Sequence, residues 1–150
     1  MNILIVTLFY YIEGRPDLIH NTNAVHYLVK YWAKEHNVMV FNVYTHSYRA
    51  IGRYISHDAR KYYRDGYEFE KDQVKVHLTE VQKFPGQKGK YNTFQTAHIM
   101  KQFKQMARKM EKEPDIIIVH FPSYAVSFIE EVRSCFAKYI PTVAAMHPTD

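Results

Sequence analysis

Two histidines stand at the ends of apolar segments in the second half of the sequence. His120 follows the uninterrupted aliphatic residues 116–119, and Pro122 comes two residues later. His147 ends a second apolar segment, and Pro148 follows it directly. Because proline has no N–H to donate to a sheet, strand pairing is expected to stop where these histidines stand. An imidazole at such a position can bind a ligand or transfer a proton, or it can simply hydrogen-bond a nearby carbonyl.

Three further residues could share a site with the histidines. Ser123 lies three residues after His120 and can cap a helix or contact a ligand. Gly14 and Arg15 lie in a loop at residues 9–21, between an apolar segment and a helical pattern. Glycine lets a backbone approach a ligand closely, and arginine binds phosphate or an acceptor group. The substrate-binding candidates are therefore Gly14, Arg15, His120 and Ser123.

The apolar segments that precede these residues are short and aliphatic, as in strands that are buried on both faces of a parallel sheet. Helical patterns separate most of them, so crossover connections and helices on both faces are expected. The sequence thus predicts an α/β fold, a Rossmann-like three-layer sandwich in a single domain over residues 1–150. Its mainly parallel sheet has about five strands in the order 3-2-1-4-5. The strands are predicted at about residues 2–9, 38–45, 74–78, 115–120 and 142–147.

Three helices are predicted from apolar residues at three- and four-residue spacing. They begin near residue 22, residue 93 and Ser123, and the second extends to about residue 112. Residues 46–72 are predicted to be a partly helical excursion, and residues 83–90 a basic loop. The predicted core faces include Leu28 in the first helix, Phe94 in the second and Val126 in the third.

The predicted strand order also indicates where a ligand would bind. In open parallel sheets, ligands bind beyond the carboxyl ends of the strands, where the strand order reverses. In the order 3-2-1-4-5 that point lies between the first and fourth strands. The loop with Gly14 and Arg15 follows the first strand, His120 ends the fourth, and His147 ends the fifth. The fold would therefore gather the candidate residues around one crevice.

Several common sites are disfavoured by the sequence. The loop after the first strand has a single glycine and no G-x-G-x-x-G pattern, and no Walker phosphate loop is present. No Cys/His spacing resembles a zinc site, and no G-x-S-x-G elbow is present. We therefore expect neither a metal nor a bound cofactor.

The net charge is +5, and residues 48–64 are rich in tyrosine and arginine. Such a stretch is typical of a solvated helix that packs its tyrosines inward, which is the interpretation we prefer. A peripheral contact with an anionic membrane surface comes next, and nucleic-acid binding last. The single cysteine, Cys135, excludes an internal disulfide. Residues 3–12 are too short for a membrane span, so a cytoplasmic protein is expected, with the inner face of the membrane as a peripheral site.

The order of these segments resembles a known family. "MNILIVTLFY", the loop with Gly14 and the helix "NAVHYLVKYWAKEHNVMVFNV" are similar to the opening of family 4 (group 1) glycosyltransferases of the GT-B fold. "EPDIIIVHFPSY" resembles the family's "PDIIH.H.P" segment, and "IPTVAAMHPTD" resembles its segment ending in histidine. The similarity spans nearly the whole chain.

The resemblance implies an enzyme of two domains that transfers a hexose from a nucleotide sugar, with retention of configuration. The N-terminal domain holds the acceptor, a glycan or a lipid-linked sugar in cell-envelope or polysaccharide synthesis. The family's histidine near the transferred sugar matches His147, which makes it the catalytic candidate. The glycine that approaches the donor phosphates matches Gly14.

The 150 residues would hold only the acceptor side of such an enzyme. Two Rossmann-like domains need roughly 300 residues or more, so the donor domain would be a separate part. We expect an N-terminal fragment or the acceptor subunit of a split enzyme, inactive alone. The alternatives are a stand-alone Rossmann-like binding or regulatory domain without catalysis and, ranked third, a basic nucleic-acid-binding protein.

Overall fold

The computed structural model describes residues 1–8, 10, 23–47, 67–83, 87, 90–120 and 125–145. In these residues it shows an α/β fold, with a six-stranded, mostly parallel sheet and three helices. The strands are β1 (Asn2–Thr7), β2 (Asn37–Ser47), β3 (Tyr67–Lys71), β4 (Val74–Lys83), β5 (Ile116–His120) and β6 (Thr142–Ala145). The helices are α1 (Asn23–Ala33), α2 (Thr93–Ala107) and α3 (Ile129–Arg133).

The strand order in the sheet is β3-β4-β2-β1-β5-β6. β4, β2, β1, β5 and β6 are parallel to one another, and β3 pairs antiparallel with β4. The order therefore differs from the predicted five-strand order by an additional strand at one edge. The strand order reverses between β1 and β5, because the chain adds β2 on one side of β1 and β5 on the other.

The additional strand corrects the prediction for residues 46–72. Residues 46–47 belong to β2, and residues 67–71 form β3 rather than a helix. Aromatic and charged residues alternate along β3, which is the pattern of a strand with one buried face. Asp72 and Gln73 connect β3 to β4 with φ angles of 51° and 66°. Two positive φ angles in a two-residue loop match the twist of a β-hairpin.

Two apolar layers cover the sheet, one on each face. On the first face, α1 packs Val25, Val29 and Ala33 against β1, β2 and β4. On the second face, α2 and α3 contribute Phe103 and Val132 to the larger layer. Side chains alternate between the two faces along each strand, so a residue's position in its strand decides which layer it joins.

Three predicted core positions are wrong, because two of the side chains lie on outward faces of helices and the third lies in the turn before α3. Leu28, Phe94 and Val126 are all exposed. At the start of α2, Gln95 is buried instead of Phe94, since it forms a capping box with Asn92. In this box each side chain bonds the backbone N–H of the other residue, which fixes the first turn. The described α-helices are also shorter than predicted: α2 ends at Ala107, and α3 begins at Ile129.

Candidate functional site

Three polar side chains lie next to one another across the sheet, level with the carboxyl ends of β1 and β5. They are His120 at the end of β5, Thr7 at the end of β1 and Asn42 in β2, which we call the polar row. Thr7 and Asn42 are register partners in neighbouring parallel strands. All three are buried, and on the face that α1 covers they follow aliphatic residues of the same strands. Adjacent strands lie about 4.8 Å apart, so the row spans about 10 Å.

A hydrogen bond joins the first two members of the row. Thr7 Oγ1 lies 3.1 Å from His120 Nδ1. The bond connects β1 with β5, the two strands between which the strand order reverses. A bond to one imidazole nitrogen fixes the orientation of the ring, and therefore the direction in which the other nitrogen points.

The third member, Asn42, differs from its neighbours in that its side chain forms no hydrogen bond within the described residues. Its side chain is about 1% exposed. Within the part of the chain that the structure describes, neither Nδ2 nor Oδ1 has a hydrogen-bond partner. Its register partners are Thr7 on one side and the aliphatic Leu78 on the other. A buried amide with both groups unpaired is rare in folded proteins, because each unpaired group has lost its water.

A second polar cluster fixes α1 to the sheet. Nε2 of His26 lies 2.9 Å from Asp72 Oδ2, and its Nδ1 lies 2.8 Å from the Tyr10 hydroxyl. Because a carboxylate only accepts, Nε2–H donates to Asp72, and in a neutral ring Nδ1 accepts from Tyr10. Lys30 Nζ lies 3.2 Å from the same carboxylate oxygen. The cluster thus joins the residues after β1, helix α1 and the β3–β4 turn.

In this cluster the pKa of the carboxylate is lowered and the pKa of the phenol is raised. The hydrogen bond from His26, followed by that from Lys30, lowers the pKa of Asp72 below its ordinary value. Burial, followed by the negative charge of Asp72, raises the pKa of Tyr10. The phenol therefore keeps its proton throughout the physiological pH range, which suits a structural donor.

Of the five candidate site residues, the structure describes His120 alone. His120 lies at the carboxyl end of β5 and next to the point of strand reversal. Gly14, Arg15, Ser123 and His147 lie outside the described residues, so their roles stay predictions.

The sequence reasoning missed Thr7 and Asn42, although a signal for each is present. Thr7 is the polar last residue of an aliphatic strand, and Asn42 interrupts the apolar residues 38–43 in the middle of β2, although asparagine is disfavoured in strands. Buried strands of a parallel sheet are otherwise almost continuously apolar.

Other parts of the described chain offer less for chemistry. No group of three or more His, Cys, Asp or Glu among the described residues could hold a metal ion. Three cavities of about 390, 330 and 470 Å³ lie beside α2, on the face opposite to the polar row. The residues around them are of mixed charge and form no set of convergent donors.

Two comparisons with known proteins identify no relative of this chain. A scan against protein-family models and a search of curated proteins both give no match. In the helices that the structure describes, none has the length and apolar character that a membrane crossing requires. The functional argument therefore depends on the chain's own residues.

Proposed function

We propose that this chain is the acceptor-binding domain of a glycosyltransferase that uses a nucleotide sugar. The acceptor is a glycan or a lipid-linked sugar, and the product belongs to cell-envelope or polysaccharide synthesis. The observation that supports the proposal is the hydrogen bond between Thr7 and His120 across the strand reversal. This is the part of an open α/β sheet where ligands bind.

The polar row suits an uncharged, hydroxylated ligand. It consists of a hydroxyl, an imidazole and an amide, and it contains no carboxylate, lysine or arginine. Such groups donate and accept hydrogen bonds without the charge that a phosphate or carboxylate ligand requires. A sugar acceptor fits this donor set, whereas the donor's diphosphate would be bound elsewhere.

The order of the sequence segments supports the same class of enzyme. A strand, a glycine-containing loop, a helix and two apolar segments that run into histidine follow one another in the sequence as in family 4 glycosyltransferases. In the proposed reaction, the domain orients an acceptor hydroxyl towards the sugar's anomeric carbon, which lowers the entropic cost of transfer. His147 would contact the transferred sugar, and Arg15 and Gly14 would lie near the donor phosphates. The diphosphate would be held by a second domain, so no metal or cofactor is needed from this chain.

Ligand-observed NMR on the 150-residue chain tests the proposal. Saturation transfer is measured with a panel of methyl hexosides as acceptor probes and with UDP-glucose and GDP-mannose as donor probes. We expect saturation transfer to at least one hexoside and no saturation transfer to the nucleotide protons. His120→Ala should weaken hexoside binding about tenfold or more. His98→Ala is the matched control, since His98 lies on α2 at the opposite face, and it should bind as the wild type does.

The remaining outcomes separate the alternatives. Binding of the nucleotides without any hexoside would contradict an acceptor domain. Binding of neither class would favour a stand-alone regulatory or binding domain. A companion assay follows transfer of radiolabelled hexose from the same nucleotides to a membrane lipid extract. We expect transfer only when a nucleotide-sugar-binding domain is supplied with the chain, and transfer by the chain alone would contradict the division of roles.

A further inference from the structure

We infer that Asn42 is a ligand-binding residue whose side-chain amide pairs with two neighbouring hydroxyl groups of a sugar bound beside the carboxyl ends of β1 and β5. The inference rests on the proposed function and assigns the sugar contact to a named atom pair. Nδ2 would donate to one hydroxyl, and Oδ1 would accept from the next. His120 and Thr7 would lie on the same side of the ligand, since all three belong to the polar row.

The cost of keeping an amide at this position is the first argument. Asn42 lies between Thr7 and Leu78 in the middle of the sheet, where its two strand neighbours on the same face, Val40 and Tyr44, are apolar or aromatic. A β-branched aliphatic residue would suit the strand better. In the described part of the chain, both amide groups are buried without a partner, which destabilises the unliganded protein. A ligand that pairs with both groups would offset this cost.

The chemistry of the amide is the second argument. It presents one donor and one acceptor side by side in a plane, so its best partner offers the reverse pair. Two adjacent hydroxyls do so, because each hydroxyl both donates and accepts. An anion would be repelled by Oδ1, and no cation in the row would compensate. A nucleobase edge could also pair with the amide, so adenosine and uridine serve as competing probes in the test.

The burial of Asn42 adds a kinetic expectation. With about 1% of its surface exposed, the amide can meet a ligand only after a local rearrangement. Binding that requires a conformational change associates more slowly than docking to an open site. Exchange of a bound sugar should therefore be slow compared with that at exposed sites.

The opposite face of the sheet offers a matched control. Thr79 in β4 is also fully buried, and its Oγ1 has no hydrogen-bond partner in the described residues. It pairs in register with Val43 and lies in the layer that α2 covers, away from the polar row. Replacing either residue by valine removes a buried unpaired polar group from a strand.

The experiment compares Asn42→Val with Thr79→Val in the whole chain. Both variants should raise Tm by about 2–4 °C, since each removes an unpaired buried group. Only Asn42→Val should lose affinity for the methyl hexoside that binds the wild type best, by about tenfold or more. The side-chain NH₂ signals of Asn42 should also shift in ¹H–¹⁵N spectra when that hexoside is added.

The outcomes distinguish this inference from the proposed function. Unchanged hexoside affinity in Asn42→Val, or NH₂ signals that do not shift, would overturn the inference and leave the acceptor domain standing. Loss of binding in both variants would also overturn it, because the effect would then be a general one. If the wild type binds no hexoside, the inference and the proposed function both fail. NH₂ shifts produced by adenosine or uridine instead of a hexoside would replace the sugar by a nucleobase and likewise overturn it.

Discussion

Thr7 Oγ1 and His120 Nδ1 lie 3.1 Å apart, although 113 residues separate them in the chain. The sheet brings them together because β1 pairs with β5 in parallel register, so both strands end at the same edge. The pair is buried, and burial strengthens its hydrogen bond while fixing the imidazole. This pair links the fold to the proposed site.

Replacing Thr7 by valine tests this link, because valine keeps the shape of the side chain and removes the hydroxyl. We expect the free energy of unfolding to fall by about 0.5–1.5 kcal/mol, the net worth of one hydrogen bond. Hexoside affinity should fall as well, since His120 loses its orientation. Urea denaturation and NMR titration measure the two effects. Wild-type affinity in Thr7→Val, despite the loss of stability, would show that Thr7 does not position His120.

The contributions of Tyr10 and His26 to the free energy of unfolding are expected to depend on each other, because their side chains are hydrogen-bonded. Tyr10→Phe and His26→Phe each leave one polar group buried without its partner, which should cost about 1–3 kcal/mol of the free energy of unfolding. The double variant should lose about 0.5–3 kcal/mol less than the sum of the two. Denaturant unfolding of the four proteins completes the cycle. Strictly additive losses would indicate that the 2.8 Å contact contributes nothing to stability.

Acid should weaken the contact between α1 and the β3–β4 turn. The pKa of Asp72 is lower in the folded chain than its ordinary value of 3.8, because His26 and Lys30 donate to it. A depressed carboxyl pKa stabilises the fold above the ordinary value, and this contribution is lost as the pH falls through the depressed pKa. The Tm of the wild type should therefore exceed that of Asp72→Asn at pH 6, and the difference should shrink below about pH 4.

Asp72→Asn, compared with a control variant, isolates the effect of the Asp72 charge. Asparagine tolerates the positive φ angle of residue 72, so the turn itself is kept. Glu70→Gln, an exposed carboxylate in the same hairpin, is the control and should leave the acid-side Tm profile close to that of the wild type. A Tm difference for Asp72→Asn that does not change with pH would contradict the assignment.

The two phenylalanines of α2 should differ sharply in their contribution to stability. Phe103 is fully buried and packs edge-on against Phe41, with ring centroids 5.2 Å apart. Phe103→Ala should lower the free energy of unfolding by about 3–5 kcal/mol, because it leaves a cavity. Phe94 is 86% exposed, and Phe94→Ala should change it by no more than about 0.5 kcal/mol. Similar losses in both variants would mean that α2 packs its other face inward.

The sequence patterns predict the parallel strands well, because continuous aliphatic runs have few alternatives. β3 is not predicted although its aromatic and charged residues alternate, because the partners that stabilise its charged face are distant in the sequence. Its Glu68 is satisfied by His77, nine residues away, and by Lys109, 41 residues away. No local pattern in the sequence can show those partners. The burial that raises the pKa of Glu68 is outweighed by the hydrogen bonds from Lys109 and His77, which lower it.

The candidate site is predictable only in part. His120 can be found because a polar residue ends an apolar run before a proline. Asn42 cannot be assigned a role from the sequence alone, since a lone asparagine in a strand usually finds a hydrogen-bond partner. Only the structure shows that Asn42 lies beside Thr7 without one in the described residues. The burial of Gln95 instead of Phe94 is not predicted from the sequence either. There the capping box, rather than hydrophobicity, decides which side chain of the first turn is buried.

The central place of β1 has a consequence for the chain as it leaves the ribosome. The backbone of Asn2 bonds that of Asp115, and its N–H also donates to the Asp115 side chain, 113 residues later. At about 5–20 residues per second, one edge of β1 stays unpaired for roughly 6–23 s until β5 has been synthesised. During that time β1, α1 and β2 can already pair, but the aliphatic edge of β1 stays open to other nascent chains. Chaperone binding during translation should therefore centre on this first strand.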